Sequence, residues 1–305
     1  LDYLKRMRVI KLFLCFAPFA AQPALAQVQA PDSWARPTAP KAGLEQLGQR
    51  LAATALDNPG QYGIAAMDLS TGRSVSFNGA TAFPMASTVK VAVAATYLSE
   101  VDAGRRSLAD PIAGTTAEAL MNRMITHSDN VATDLLIAAL GGPVTIDAWI
   151  HARNLSGIRV DRTIAQLLAA KRDLHDVRDS STPEAMIALL RAIDTGQALK
   201  PESRLVLLDM MHRCATGRNR IRALLPADVR VEHKTGTLNG FSGDVAFLTL
   251  PDGRRIAMAM FARGGENRPG VIATLARAIY DAYAAEPSAA TASVETAGGS
   301  MSSRR

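Results

Sequence analysis

The sequence predicts an α/β fold of the α+β kind: one antiparallel sheet flanked by an N-terminal and a C-terminal helix, with an all-helical domain inserted between its strands. Three observations predict it. Two strand-like segments lie near the start, at 62–69 and 73–78; a long stretch from Phe83 to Leu199 has helical period; strand-like segments then return at 228–238, 243–251 and 254–264. Strands contributed from both ends of the chain divide it into a sheet domain, 27–80 with 212–285, and a helical domain, 81–211. A cleft between such domains is where small-molecule sites prefer to lie.

Each element has a local reason. Met7, Arg8 and Lys11 precede the apolar run "LFLCFAPFA", and "ALAQ" supplies small residues at Ala24 and Ala26. This is the pattern of a secretory signal peptide over 1–26, which places the mature protein in the periplasm or outside the cell. The apolar run is too short for a comfortable bilayer span, so no stable membrane anchor is expected. Phe13 and Leu14 are too bulky to precede a lipid-modified cysteine at Cys15. Leu44 to Ala55 reads as an amphipathic helix. "YGIAAMDL" and "RSVSFN" form a hairpin through Ser70-Thr71-Gly72, and "PDGR" turns "GDVAFLTLP" into "RRIAMAMFARG". "VIATLARAIYDAYAA" supplies the closing helix, and the Ala/Ser/Gly-rich tail, 286–305, is predicted to be disordered.

Composition excludes several functions. The net charge of +6 falls to about +3 once Lys5, Arg6, Arg8, Lys11 and Asp2 leave with the signal peptide, too little to argue for nucleic acid. Cys214 is then the sole cysteine, so no intramolecular disulfide is available. His127, His151, His175, His212 and His233 show no metal-binding spacing, and neither metal nor cofactor is expected.

Three short motifs carry chemistry. Ser87 opens a helix after "FPMA", with Lys90 one turn further on the same face. A helix start favours negative charge, and a desolvated lysine can accept a hydroxyl proton; taken alone, the pair reads as a helix cap and a solvated lysine. Ser128-Asp129-Asn130 is by itself a plausible helix start. "KTGT", from Lys234 to Thr237, places a cation and two hydroxyls along a strand, here expected on one face.

In this order the motifs S-x-x-K, S-D-N and K-T-G form a set, and with it the chain resembles the class A β-lactamases and penicillin-binding proteins. "DNVATDLL", "GGP", "RVDR", "RDSSTPEAM" and "TGRNRIRALLP" extend the resemblance over nearly the whole mature length. It implies a serine β-lactamase-like fold and a set of roles. Ser87 would be the acylated nucleophile and Lys90 its proton acceptor. Ser128 would pass a proton to the leaving nitrogen, and Asn130 would bind the substrate's side-chain amide. Lys234, Thr235 and Thr237 would hold the substrate carboxylate, with Arg220 as a second cation. The backbone amides of Ser87 and Thr237 would form the oxyanion hole.

Two departures stand out. The family's Ω-loop glutamate, which activates the deacylating water, is replaced by Ile164 in "DRTIAQLLAAKRDLHDVRD". The slightly longer loop leaves Gln166 to slide into the water site, where it can position a water and cannot deprotonate it. Asp173, His175 and Asp176 are the remaining candidates for a base, and Asp179 is expected to pair with Arg162. Ser87 and Ser128 are also only 41 positions apart, shorter than the family's spacing, which widens the mouth of the cleft. The expectation is a monomeric β-lactamase with an atypical or slow deacylation step. The alternatives are a DD-carboxypeptidase, amidase or esterase acting on D-Ala-D-Ala-like peptides, or a non-hydrolytic β-lactam sensor.

Overall fold

The computed structural model describes residues 42–286. The segment 1–26 expected to be a signal peptide, and all of the tail beyond Glu286, lie outside the described residues. The chain opens with α1 (Ala42–Leu56) and the hairpin β1 (Gln61–Asp68) and β2 (Ser74–Phe77), whose turn is held by Asp68 Oδ1 accepting from the Ser70 and Thr71 amides. There follow β3 (Phe83–Pro84), α2 (Lys90–Asp102), β4 (Pro111–Ile112), β5 (Thr115–Thr116), α3 (Ala117–Thr126), α4 (Asn130–Leu140), α5 (Pro143–His151), α6 (Ile164–Ala169), β6 (Ser180–Ser181), α7 (Pro183–Asp194) and α8 (Pro201–His212). The strands β7 (Arg230–Leu238), β8 (Phe241–Thr249) and β9 (Arg255–Arg263) then lead into α9 (Arg268–Ala285).

Among the described residues the main sheet has the order β2-β1-β9-β8-β7, antiparallel throughout. Both of its faces are buried, which explains why β8 and β9 read as almost continuous apolar runs. On one face Leu47, Leu51, Ile272, Leu275 and Ile279 of α1 and α9 cover Ile64, Met258 and Met260. On the other, Phe241, Phe247 and Phe261 meet the helical region through Phe83, Met85 and Leu98. Each fully buried side chain of this size contributes about 1.5–3 kcal/mol of transfer free energy.

That second core sets the approach to Ser87. Gly63 leaves the space Phe83 fills, since a Cβ there would lie 2.3 Å from the ring. Phe83 then stacks on Phe261 at 6.0 Å between ring centroids. Phe83 and Pro84 pair with Ser181 and Ser180, and the Met85 amide donates to Asp179 O at 2.9 Å. The chain reaches Ser87 already fixed on two sides.

The Ω-loop, 161–179, is closed at its neck by the expected pair. Asp179 accepts from the Asp161 amide at 2.8 Å, the Arg162 amide at 3.0 Å and the Arg162 guanidinium. The region between α2 and α3 is a compact turn: Asp110 accepts from Tyr97 Oη at 3.1 Å and from the Ser107 amide at 3.0 Å. Residues 103–116 contain no aromatic side chain to wall the cleft. At the C-terminus Glu286, assigned from sequence to the disordered tail, is instead tied to Arg73 through its carboxylate and to Arg254 through its carbonyl.

Arg162 and Asp179 are 13% and 6% exposed, so removing the Asp179 carboxylate takes the nearer of two partners from Arg162, leaving Asp176 at 3.2 Å, and strips the Asp161 and Arg162 amides of their acceptor. Asp179→Ala is expected to lower the unfolding free energy by about 3 kcal/mol in urea titrations, with new protease cleavage sites confined to 163–178.

Candidate active site

The nucleophile candidate sits at a sharper feature than a helix start. Ala86 to Val89 form a single 3-10 turn and α2 begins at Lys90, so Ser87 precedes the α-helix. Ala86 takes a left-handed φ of 48°, and the Met85 carbonyl accepts from both the amide and the hydroxyl of Thr88. This turn leaves Ser87 half-buried while Lys90, one turn on, is fully buried.

Lys90 Nζ donates to Ser128 O at 2.7 Å, to Asn130 Oδ1 at 2.8 Å and to Ser128 Oγ at 3.2 Å. Ser128 adopts a left-handed φ of 60°, which a non-glycine residue holds only when its surroundings fix it. Here they do: Asp129 caps α4 by accepting from the Ala132 amide at 2.9 Å and pairs with Arg123, while Lys90 takes the Ser128 carbonyl. Burial, reinforced by the Lys234 cation, pushes the Lys90 ammonium down to about 7 against the pull of Asp129 and Asp134. Lys90 is thereby suited to hold or release a proton near neutrality.

Lys234 donates from β7 to Ser128 Oγ at 3.0 Å and to Thr235 O at 2.9 Å. Burial lowers it to about 8, and Arg220 adds to the effect while Cys214 and Asp244 oppose it. The Ser128 hydroxyl therefore lies between two cations.

The single-face expectation for "KTGT" is corrected by the pleat. Thr235 and Thr237 share one face of β7, and Lys234 shares the other with Gly236. The Gly236 face touches the nucleophile's turn: a Cβ at Gly236 would lie 2.5 Å from Met85 O and 3.2 Å from the Ser87 amide nitrogen. Only glycine lets the strand and the turn come this close, which brings the backbone of Thr237 beside that of Ser87. On the opposite face Arg220 Nη2 donates to Thr237 Oγ1 at 2.6 Å, and Nη1 to Gly236 O and Gly243 O at 2.9 and 2.7 Å. Thr235 Oγ1 instead shares a proton with Thr216 Oγ1 at 2.5 Å. Asn130 and Thr237 are exposed, on the open side of the site.

The Ω-loop supplies little. Ile164 is 5% exposed and belongs to the hydrophobic core. Gln166, expected to slide into the water site, is exposed and closes a capping box with Thr163, its Oε1 accepting from the Thr163 amide at 2.9 Å. Asp173 and His175 are exposed and lie near each other. Hydrogen bonds from Arg178 hold the Asp176 carboxyl down to about 2, too weak a base to serve at neutral pH.

Sequence reasoning missed Asp134, whose two oxygens accept from the Ile164 and Ala165 amides at 2.7 and 2.9 Å and so anchor α6 to α4. The signal was present, since Asp134 follows Asn130 by one helical turn and shares its face. Among the described residues no cluster of three His, Cys, Asp or Glu side chains is placed to hold a metal.

A turn-mounted serine, a buried lysine of lowered pKa and a second buried lysine are the groups that serine acyl transfer would call on. Known proteins place the chain within a family. The model of the β-lactamase enzyme family matches residues 46–283. The chain is 32% identical over 247 residues to the carbapenem-hydrolyzing β-lactamase KPC of Klebsiella oxytoca, covering 72% of this chain and 83% of that one. It is 34% identical to a β-lactamase of Amycolatopsis lactamdurans, covering 68% and 74%. Among solved structures it resembles an ancestral (GNCA) class A β-lactamase (TM-score 0.74, 35% identity, 78% of this chain and 100% of that one). It also resembles a β-lactamase of Chitinophaga pinensis (TM-score 0.73, 28% identity, 78% and 99%). The chain belongs to the class A β-lactamase family and is a serine β-lactamase-type hydrolase.

Gly236→Ala is expected to push β7 away from the Ser87 turn. A displacement on the order of 1 Å at a reacting centre costs about 10²-fold in rate, to be read in acylation by a fluorescent penicillin, with little change in the far-UV circular dichroism.

Proposed function

We propose that the protein is a periplasmic, monomeric enzyme that opens β-lactams by acylation of Ser87 and releases the product slowly. One observation supports this reading: Lys90, three residues after Ser87, is buried and shares Ser128 Oγ with a second buried lysine, which gives it a proton affinity matched to a base at neutral pH. The signal-peptide pattern over 1–26 supports export.

The substrate lies in the cleft between the sheet domain, 27–80 with 212–285, and the helical domain, 81–211. Its carboxylate faces Lys234, Thr235 and Thr237, and its side-chain amide faces Asn130. Ser87 Oγ attacks the lactam carbonyl and its proton passes to Lys90. The oxyanion is received by the amides of Ser87 and Thr237, an arrangement that the close approach at Gly236 supports. Collapse of the tetrahedral intermediate breaks the C–N bond, and Ser128 hands a proton to the leaving nitrogen, replenished from Lys90. Arg220 acts through Thr237: an arginine only donates, so Thr237 Oγ1 accepts from it and turns its own proton toward the carboxylate.

Deacylation lacks this equipment. Loss of a general base costs about 10² to 10⁴ in rate, and the packing of Ile164 and the capping role of Gln166 leave the Ω-loop without a replacement. Intact-protein mass spectrometry with excess benzylpenicillin is expected to show a stoichiometric adduct that persists well beyond the acylation time. Ser87→Ala should form none; an adduct of full occupancy in that variant overturns the assignment. Rapid turnover without accumulation overturns the slow release. D-Ala release from a pentapeptide would move the substrate to cell-wall peptides.

The acylation step should also carry a narrow pH window. A base works deprotonated, so the rate rises as pH passes Lys90's value of about 7; a carboxylate anchor works protonated, so binding declines as pH passes Lys234's value of about 8. Stopped-flow acylation across neutral pH checks both limbs, and a rate flat through this range contradicts the roles given to the two lysines.

A further inference from the structure

Behind β7, on the face away from Ser87, lies a chain of polar groups that the acylation step does not use. Asp244 Oδ1 is 3.0 Å from His233 Nδ1. His233 is fully buried, its Nε2 has no hydrogen-bond partner, and its imidazole is near enough to Cys214 to lower the thiol's pKa. Cys214 Sγ is 3.3 Å from Thr216 Oγ1, which is 2.5 Å from Thr235 Oγ1. The packing is close: Gly217, at φ 71°, presents no Cβ, and one would lie 2.3 Å from Thr235 Cγ2. Asp244, His233, Cys214, Thr216 and Thr235 thus form one line that ends in the carboxylate pocket.

We propose that Cys214 is a positioning residue for substrate recognition: whether its sulfur carries a proton sets the direction of the Thr216–Thr235 hydroxyl pair, and so whether Thr235 donates to a substrate carboxylate. The inference rests on the placement of the carboxylate at Thr235 in the proposed function.

The argument is one of hydrogen-bond polarity. Each hydroxyl has one proton to give. A thiolate only accepts, so Thr216 donates to Sγ and must accept from Thr235. Thr235 then presents lone pairs to an anion. A thiol can donate to Thr216 Oγ1, its other acceptor being Thr216 O at the longer distance of 3.9 Å. Thr216 then donates to Thr235 Oγ1, and the Thr235 proton is free for the carboxylate. Thr237 escapes this control because Arg220 fixes its polarity.

The charges around Cys214 put the switch in a useful range. Burial pushes the thiol up, but the His233 imidazole, the Lys234 cation and the Thr216 hydroxyl outweigh it and bring it to about 7. His233, lowered by burial and raised more strongly by Asp244 behind it, stands at about 9 and is charged while Cys214 titrates. Arg220 is the remaining cation facing the sulfur. From the α8 side, Arg213 turns away to Asp209 and Asn122.

The test separates binding from chemistry. Acylation by benzylpenicillin and by its methyl ester, which lacks the charged carboxylate, is followed by stopped flow across neutral pH, yielding a binding constant and a maximal rate for each. For the acid, binding by the native protein is expected to weaken about tenfold as Cys214 loses its proton, the scale of a hydrogen bond to a charged group. The ester should lack this limb. Thr216→Val breaks the line while keeping the Cys214 sulfur beside Lys234; losing the Thr216 hydroxyl raises the thiol, but with the line cut its titration should no longer reach Thr235, so the limb of Cys214 is lost at any midpoint and the one centred on Lys234 is kept. Cys214→Ser, a neutral donor at every pH used, should also lose it. A limb of native size in Thr216→Val, beyond the one centred on Lys234, overturns the proposal, as does one in Cys214→Ser should the valine variant fail to fold. Thr235→Val with undiminished preference for acid over ester overturns the carboxylate placement itself, and the relay with it.

Discussion

Two lysines buried on either side of one hydroxyl are the constraint around which this molecule is arranged. Lys90 and Lys234 have no exposed surface, and each reaches Ser128 Oγ. Like charges in a water-poor site repel strongly, and each also loses its hydration. The fold meets this in two ways. It surrounds both ammonium groups with oxygen acceptors, from Ser128, Asn130 and Thr235, and it lowers the proton affinity of both, Lys90 the further. The left-handed Ser128 is part of the same solution, since its conformation is what lets both its carbonyl and its hydroxyl face the cations.

The nucleophile's turn depends on the sheet in a different way. Its position comes from backbone contacts, the Met85 amide on Asp179 O and the close passage of Gly236, together with the Thr88 hydroxyl on the Met85 carbonyl. Asp179 also closes the Ω-loop through its carboxylate, so one residue ties the loop's neck to the approach to Ser87. The geometry of attack and the anchoring of the loop are therefore mechanically joined, although the chemistry carried by the loop is separate.

How far the sequence foretold this differs by element. The strands of the sheet were legible because short, largely apolar runs between turn residues fix both type and boundary, and β7 to β9 fall almost where the pattern put them. The start of α2 was not: a 3-10 turn at Ala86 to Val89 depends on a positive φ and on a neighbouring strand distant in sequence. The partition of β7 into a Lys234 face and a threonine face was readable from parity alone, and the single-face reading overlooked it. The line from Asp244 to Thr235 was beyond reach, because antiparallel pairing and the crossing of segment 214–217 bring together residues with no shared local pattern. Glu286 was misassigned for a related reason. A lone acid in a small-residue tail gives no hint that Arg73 and Arg254, far back in the chain, will hold it.

Why the fold tolerates isoleucine at a position its family gives to a carboxylate follows from where the loop is held. Arg162 and Asp179 lock the neck, Asp134 receives the first amides of α6, and the Thr163–Gln166 capping box finishes that helix's start. None of these bonds involves the side chain at 164. Placing Ile164 in the core adds apolar burial instead of a buried charge, which for folding is the cheaper choice. The groups proposed to form an acyl-enzyme, Ser87 on its turn, Ser128 before α4 and the lysines of α2 and β7, are tied together by the two-lysine arrangement. The element for breaking it would lie on a loop anchored by other residues, so the second half of the reaction is the one that can change while the fold stays intact.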